Sequence, residues 1–135
     1  MSIDQRLLEL GITLPSPAKP AGSYKPCVIV DGTAYISGQG PLLDDGTFAQ
    51  GVVGKDLDIE TAQAHAKRCG LAILAALKNE IGNLDRVQQI VKLTGFVNCT
   101  PDFTKQPLVI NGCSDLMQQV FGEMGVHARD RKSVV

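Results

Sequence analysis

Ala62, Ala66, Cys69, Ile73, Leu77 and Ile81 recur at steps of three and four residues, the spacing that places side chains on one face of an α-helix. Lys67, Arg68, Lys78 and Glu80 fall between them, so the pattern predicts a long amphipathic helix whose apolar stripe must be covered. Asp58 stands where it can cap the start, and Gly82-Asn83 ends it. Upstream, Cys27 to Val30 and Thr33 to Ser37 read as strands joined by Asp31-Gly32, a pair suited to the positive φ of a tight hairpin turn. Downstream, Val87 to Asn98 reads as a third strand, with Val91, Leu93, Gly95 and Val97 in alternation. Thr100-Pro101-Asp102 breaks it, and Val109, Cys113, Leu116, Val120 and Phe121 mark one face of a second helix ending near Gly122. The order strand, strand, helix, strand, helix, with a further segment after Gly125, predicts an α+β domain in which two helices cover one face of a mixed or antiparallel sheet. The uncovered face would then bury itself against identical sheets in a closed homo-oligomer.

Residues 3 to 10 read as a short helix with Leu7, Leu8 and Leu10 apolar and Gly11 at its end, packing as an accessory. Pro15, Pro17 and Pro20 make the stretch from Leu14 to Gly22 an extended connector. Residues 1–20 are therefore expected to form an N-terminal extension and residues 21–135 a single domain, as the length of 135 residues suggests. Thirteen Lys and Arg against fourteen Asp and Glu, scattered along the chain, provide no basic stripe for phosphates, so nucleic acid is not an expected partner. The N-terminus has no export pattern and no apolar run approaches bilayer length, which predicts a cytoplasmic protein with no membrane partner. Cys27, Cys69, Cys99 and Cys113 are widely spaced without a C-x-x-C pair and are expected as reduced, packed thiols. Asp44-Asp45-Gly46 lacks the further oxygen ligands of a calcium loop, and His65 and His127 are expected at the surface or in packing; no metal is predicted.

The run Tyr35-Ile36-Ser37-Gly38-Gln39-Gly40-Pro41 ends a strand in small residues that carry a hydroxyl and a carboxamide, held rigidly enough to position a small ligand. With Ala21-Gly22-Ser23-Tyr24 and Val30-Asp31-Gly32 before it, this run resembles the opening of the YjgF-type reactive intermediate deaminases, also called Rid or L-PSP endoribonuclease proteins. Leu93-Thr94-Gly95-Phe96-Val97-Asn98, Pro101-Asp102-Phe103, Val109-Ile110-Asn111-Gly112 and Phe121-Gly122-Glu123 follow in the family's order, then a His-Ala-Arg segment. The resemblance spans about Gly22 to Arg129 and is nearest a subgroup with an N-terminal extension.

That resemblance implies a chorismate-mutase-like fold, a homotrimer with ligand clefts between subunits, and hydrolysis of enamines and imines of amino acids to 2-oxo acids and ammonia with no cofactor. It gives Tyr24, Ser37 and Arg129 catalytic parts, and Arg129, Asn111 and Gly38 a part in holding an imino or oxo acid. A guanidinium grips a carboxylate by two parallel charge-assisted hydrogen bonds that lysine cannot reproduce, which matches Arg129 to the family's anchor. Two departures stand out. Asp130-Arg131-Lys132 intervenes before Ser133-Val134-Val135, making Arg131 a rival anchor. The family's last strand, with the glutamate that orients the attacking water, would lie beyond Val135. A non-catalytic module for small carboxylates is the alternative, and a ribonuclease of single-stranded RNA ranks third for want of a basic surface and stacking aromatics.

Overall fold

The computed structural model describes all 135 residues. Helix α1 covers Ile3–Glu9 and is closed at its start by a capping box between Ser2 and Gln5. After the proline connector, strands β1 (Cys27–Val30) and β2 (Thr33–Ile36) form an antiparallel hairpin. Its turn takes positive φ at Asp31 (51°) and Gly32 (75°), as expected of this dipeptide. Helix α2 (Ile59–Ile81) starts at Asp58, whose Oδ1 accepts from the Thr61 amide at 2.7 Å, and ends at Gly82. Strand β3 covers Lys92–Asn98, shorter than the Val87 start the alternation suggests. A 3₁₀ turn takes up Leu84–Arg86, and the following residues are tied elsewhere: the Ile90 amide donates to the Met124 carbonyl at 2.7 Å. Helix α3 covers Gln106–Phe121, with a proline in its first turn, where the missing amide hydrogen costs nothing.

The segment after Gly125 is strand β4, Ala128–Val134, which pairs in parallel with β3 in unbroken register from Lys92↔Ala128 to Asn98↔Val134. Asp130-Arg131-Lys132 is thus not an interruption. It lies inside the strand, and Arg129, Arg131 and Ser133 alternate onto one face.

The domain is mixed α+β, as the element order predicts. Its strands fall into two separate pairs, antiparallel β1-β2 and parallel β3-β4. Helices α2 and α3 pack on each other, with β1 and β2 against α2 and β3 and β4 against α3. The larger core joins Leu74 and Leu77 of α2 to Leu116, Met117 and Val120 of α3. Helix α1 belongs to that core and is no loose accessory: Ile3 and Leu7 are buried in it, the Ile3 amide donates to Asp85 Oδ1 at 2.7 Å, and Asp4 pairs with Lys78 at 3.0 Å. A second core gathers Val53, Ala62, Val97, Cys99, Val109 and Ile110 under β3. No helix is long and apolar enough to cross a membrane.

Candidate functional site

Strand β4 turns Arg129 toward α3, where its guanidinium is half-buried. Nη1 donates to Asn111 Oδ1 at 2.7 Å and to Ser114 Oγ at 3.2 Å, and Nη2 donates to the Pro107 carbonyl at 3.2 Å. All three acceptors are neutral. The ion pairs of the chain are Arg68–Asp44 and Lys78–Asp4, so Arg129 is a partly buried cation without a carboxylate counter-ion, an environment that favours an incoming anion. Asn111 and Ser114 lie three residues apart on one face of α3 and straddle the guanidinium. Arg131, two residues along β4, is exposed and reaches only Gln106 Oε1, at 3.5 Å, the outer limit of a hydrogen bond. The other end of the buried Gln106 side chain is anchored, its Nε2 donating to Ser133 Oγ at 2.7 Å and to the Phe103 carbonyl at 2.8 Å.

Tyr24 and Ser37 sit together at the base of the hairpin. Ser37 Oγ donates to the Lys25 carbonyl at 2.7 Å, which leaves the oxygen lone pairs free to accept. Tyr24 is half-exposed, and its hydroxyl accepts from the Ala21 amide at 3.3 Å, which leaves its own proton free to donate. Gly38 follows Ser37 with no atom within 4 Å of the position a Cβ would take. Ser37 and Gly38 line a cleft of about 1980 Å³ between the hairpin and β3. The candidate residues therefore fall into two groups, Tyr24, Ser37 and Gly38 on the β1-β2 hairpin and Arg129 with Asn111 on β4 and α3, with no hydrogen bond between them.

The family described as "YjgF/chorismate mutase-like, putative endoribonuclease" matches residues 4–133. The chain belongs to this family. Its relatives include Protein TCP17 of Trypanosoma cruzi, 44% identical over 124 residues that make up 91% of this chain and 78% of that protein. The crystal structure of a putative endoribonuclease from Shewanella oneidensis superposes with a TM-score of 0.95 at 33% identity, over 99% of this chain and 89% of that one. Atu1372 of Agrobacterium tumefaciens, a protein of unknown function, gives 0.88 at 41% identity over 98% and 83% of the two chains. The match to this YjgF/chorismate-mutase-like family includes α1, consistent with its place in the core.

Ser114, Gln106 and the Pro107 carbonyl were not singled out from the sequence. The i, i+3 spacing of Asn111 and Ser114 was a visible signal, but only the register of β4 reveals which helix face meets Arg129. The two acidic residues of the Asp44-Asp45-Gly46 turn are directed at protein partners, Asp44 at Arg68 and Asp45 at Thr47. His65 is half-buried on the cleft wall, and His127 Nδ1 lies 2.9 Å from the Ala128 carbonyl; neither is hydrogen-bonded to Arg129.

The cysteines are free thiols. Burial pushes Cys69 up to about 11 and, with Cys69 beside it, Cys113 up to about 12; burial and then Glu80 also raise Cys27. Raised thiols are poor nucleophiles at neutral pH, so Cys27, Cys69 and Cys113 are given no catalytic part. In the unfolded chain these groups titrate near 9. The native state therefore holds protons that the unfolded state gives up above that pH. Their contribution is complete below pH 9 and is lost as pH climbs through 11 to 12, stability falling by up to about 1.4 kcal/mol per pH unit for each thiol. Urea midpoints at pH 8 and pH 10 should record this decline, and a Cys69→Ala, Cys113→Ala double variant should flatten it.

Proposed function

We propose that this protein hydrolyses 2-imino acids, or the enamines that tautomerise to them, to 2-oxo acids and ammonia. The observation that carries the reading is Arg129: a half-buried guanidinium oriented by Asn111, Ser114 and the Pro107 carbonyl, with no acidic partner in the chain. The substrate carboxylate takes the counter-ion position and is gripped in two-pronged fashion. Fixed there, the molecule, protonated on its imine nitrogen, presents the imine carbon to water. Water adds to that carbon and loses a proton, a second proton reaches nitrogen, the C–N bond breaks with its electron pair leaving on ammonia, and the remaining hydroxyl proton departs as the carbonyl forms. Tyr24 and Ser37 supply the remaining polarity, one hydroxyl free to donate and one oxygen free to accept, which suits them to hold water and the iminium nitrogen.

The two groups of candidate residues lie on different strand pairs, and as half-sites they complete one another if copies of the chain meet face to face. Val28, Val30, Tyr35 and Phe96 form exposed apolar positions on the strands that favour such contact. A homotrimer with Tyr24 and Ser37 of one copy facing Arg129 of the next is therefore part of the proposal. Light scattering at micromolar concentration should return three times the chain mass; a monomer would remove the shared cleft.

A second reading is favoured by the absence of any carboxylate among the residues of both half-sites: the same anchor serves a non-catalytic module for small carboxylates. RNA cleavage, which the family description suggests, ranks last because the formal net charge is −1 and offers little attraction to phosphates. The deciding assay couples this protein to an amino-acid oxidase that releases a 2-imino acid. Faster appearance of the 2-oxo acid than in the uncatalysed control supports the hydrolase. No acceleration, together with saturable 2-oxobutyrate binding, leaves the binding module.

A further inference from the structure

With Arg129 as the carboxylate anchor, Arg131 has no part, although no acidic side chain neutralises it. The two arginines leave the same face of β4 two residues apart. Both lean over the first turn of α3: Arg129 Nη2 donates to the Pro107 carbonyl at 3.2 Å, and Arg131 Nη1 approaches Gln106 Oε1 at 3.5 Å. The carboxylate nearest in sequence, that of Asp130, springs from the opposite face of the strand, and its Oδ1 accepts from the Arg131 backbone amide at 2.8 Å. The ion pairs of the chain lie elsewhere, at Arg68–Asp44 and Lys78–Asp4, and the first turn of α3 holds no acidic residue. Two cations thus stand side by side without a counter-ion, and an anion placed between them relieves their repulsion.

Donor counting separates the two. A guanidinium carries five N–H groups. Arg129 spends three of them, on Asn111, Ser114 and the Pro107 carbonyl, and keeps two, enough to grip one carboxylate and no more. Arg131 has only its 3.5 Å approach to Gln106, so almost its whole fork is open. Gln106 is a fixed neighbour: its Nε2 is tied to Ser133 Oγ and the Phe103 carbonyl, which leaves Oε1 to face Arg131. Alternate residues of a strand stand about 6.8 Å apart. The terminal carbons of an extended five-carbon chain stand about 5 Å apart, from four bonds of about 1.5 Å laid in zigzag. Side chains as long as arginine close the difference, whereas a single carboxylate cannot fill both forks.

We infer that Arg131 is a specificity-determining residue for a second carboxylate, and that the preferred substrate is a five-carbon 2-imino dicarboxylic acid. Arg129 holds the carboxylate beside the imine carbon, and Arg131 holds the distal one. The inference rests on the reading of Arg129 as the anchor of the reacting end. Arg131 takes no part in bond making or breaking, since the distal carboxylate is separated from the imine carbon by two methylene groups. Arg131 is exposed, so its pull is screened by water and salt. It therefore confers a preference and not a requirement, and imino acids with one carboxylate remain substrates. Because the attraction there is chiefly charge, lysine at 131 preserves most of it, in contrast to position 129, where the planar fork is needed.

The test titrates the full chain, by calorimetry, with 2-oxoglutarate, the product such a substrate would give, and with 2-oxohexanoate, whose uncharged tail has a similar length. At low ionic strength the parent should bind 2-oxoglutarate about fivefold more tightly, and the ratio should shrink toward one in about 0.5 M salt. Arg131→Gln should bring the ratio to about one while its affinity for 2-oxohexanoate stays within about twofold of the parent, which also shows that the variant is folded. Arg131→Lys should keep most of the preference. A parent ratio near one, or an Arg131→Gln variant that weakens both ligands alike, overturns the dicarboxylate preference and leaves the Arg129 anchor standing. A parent that binds neither ligand overturns the anchor and the preference together. The readout is independent of any hydrolytic activity.

Discussion

Gly112→Ala should lower the melting temperature by roughly 10 °C, corresponding to about 3 kcal/mol for a chain of this size. The sign is decided by a contest between two effects. Helix propensity alone predicts a gain of about 1 kcal/mol, because alanine orders more cheaply than glycine inside α3. Packing opposes it: a Cβ at Gly112 would stand 2.0 Å from the backbone oxygen of Gln63 and 2.8 Å from its carbonyl carbon. This is backbone of α2 against backbone of α3, so no rotamer change relieves the clash and the helices must separate. Their shared core, with Leu74, Leu116 and Met117 fully or almost fully buried, opens with them. Gly38→Ala is the control, since a Cβ there meets nothing within 4 Å, and its melting temperature should move by no more than a degree or two. A Gly112→Ala protein that melts at or above the parent would refute this account of the helix contact.

Arg129→Lys should cost roughly a hundredfold in kcat/KM for 2-imino acid hydrolysis, about 3 kcal/mol of transition-state binding. Lysine keeps the charge but not the planar fork, and it cannot satisfy Asn111 Oδ1 and the Pro107 carbonyl while also gripping both oxygens of a carboxylate. Arg131→Lys should change the rate by less than about threefold, because an exposed cation is screened by water and Arg131 has only the 3.5 Å approach to Gln106. A loss confined to the Arg131 variant would transfer the anchor to that residue. If the parent protein is inactive, the same pair of variants is read by titration with 2-oxobutyrate: Arg129→Lys should abolish binding and Arg131→Lys should preserve it.

Local chemistry made much of the fold legible before any coordinates. Asp31-Gly32 calls for a hairpin because both residues accept positive φ, and Asp58 and Gly82 bound α2 because a carboxylate and a glycine satisfy helix ends. The ordered motifs from Gly22 to Arg129 were enough to identify the family. Interactions among distant residues were less accessible. Asp130-Arg131-Lys132 looks like an insertion to a reader of hydrophobicity, since three charged residues interrupt an apolar expectation. In the structure it is ordinary strand, because β4 runs along the outside of β3 and its backbone pairing is indifferent to those side chains.

The sequence by itself determined where the hairpin and the two long helices form and which arginines compete to hold an anion, because each follows from residue chemistry within a few positions. Only the tertiary structure distinguishes Arg129 from Arg131, since the register of β4 against α3 puts Asn111, Ser114 and the Pro107 carbonyl around the first and leaves the second in water. It also decided what the α2 stripe faces. Periodicity says that a helix face is apolar, but not how far it is covered: Ala62 and Leu77 are buried in the two cores, while Ala66, Ile73 and Ile81 pack beside them half-buried along the cleft.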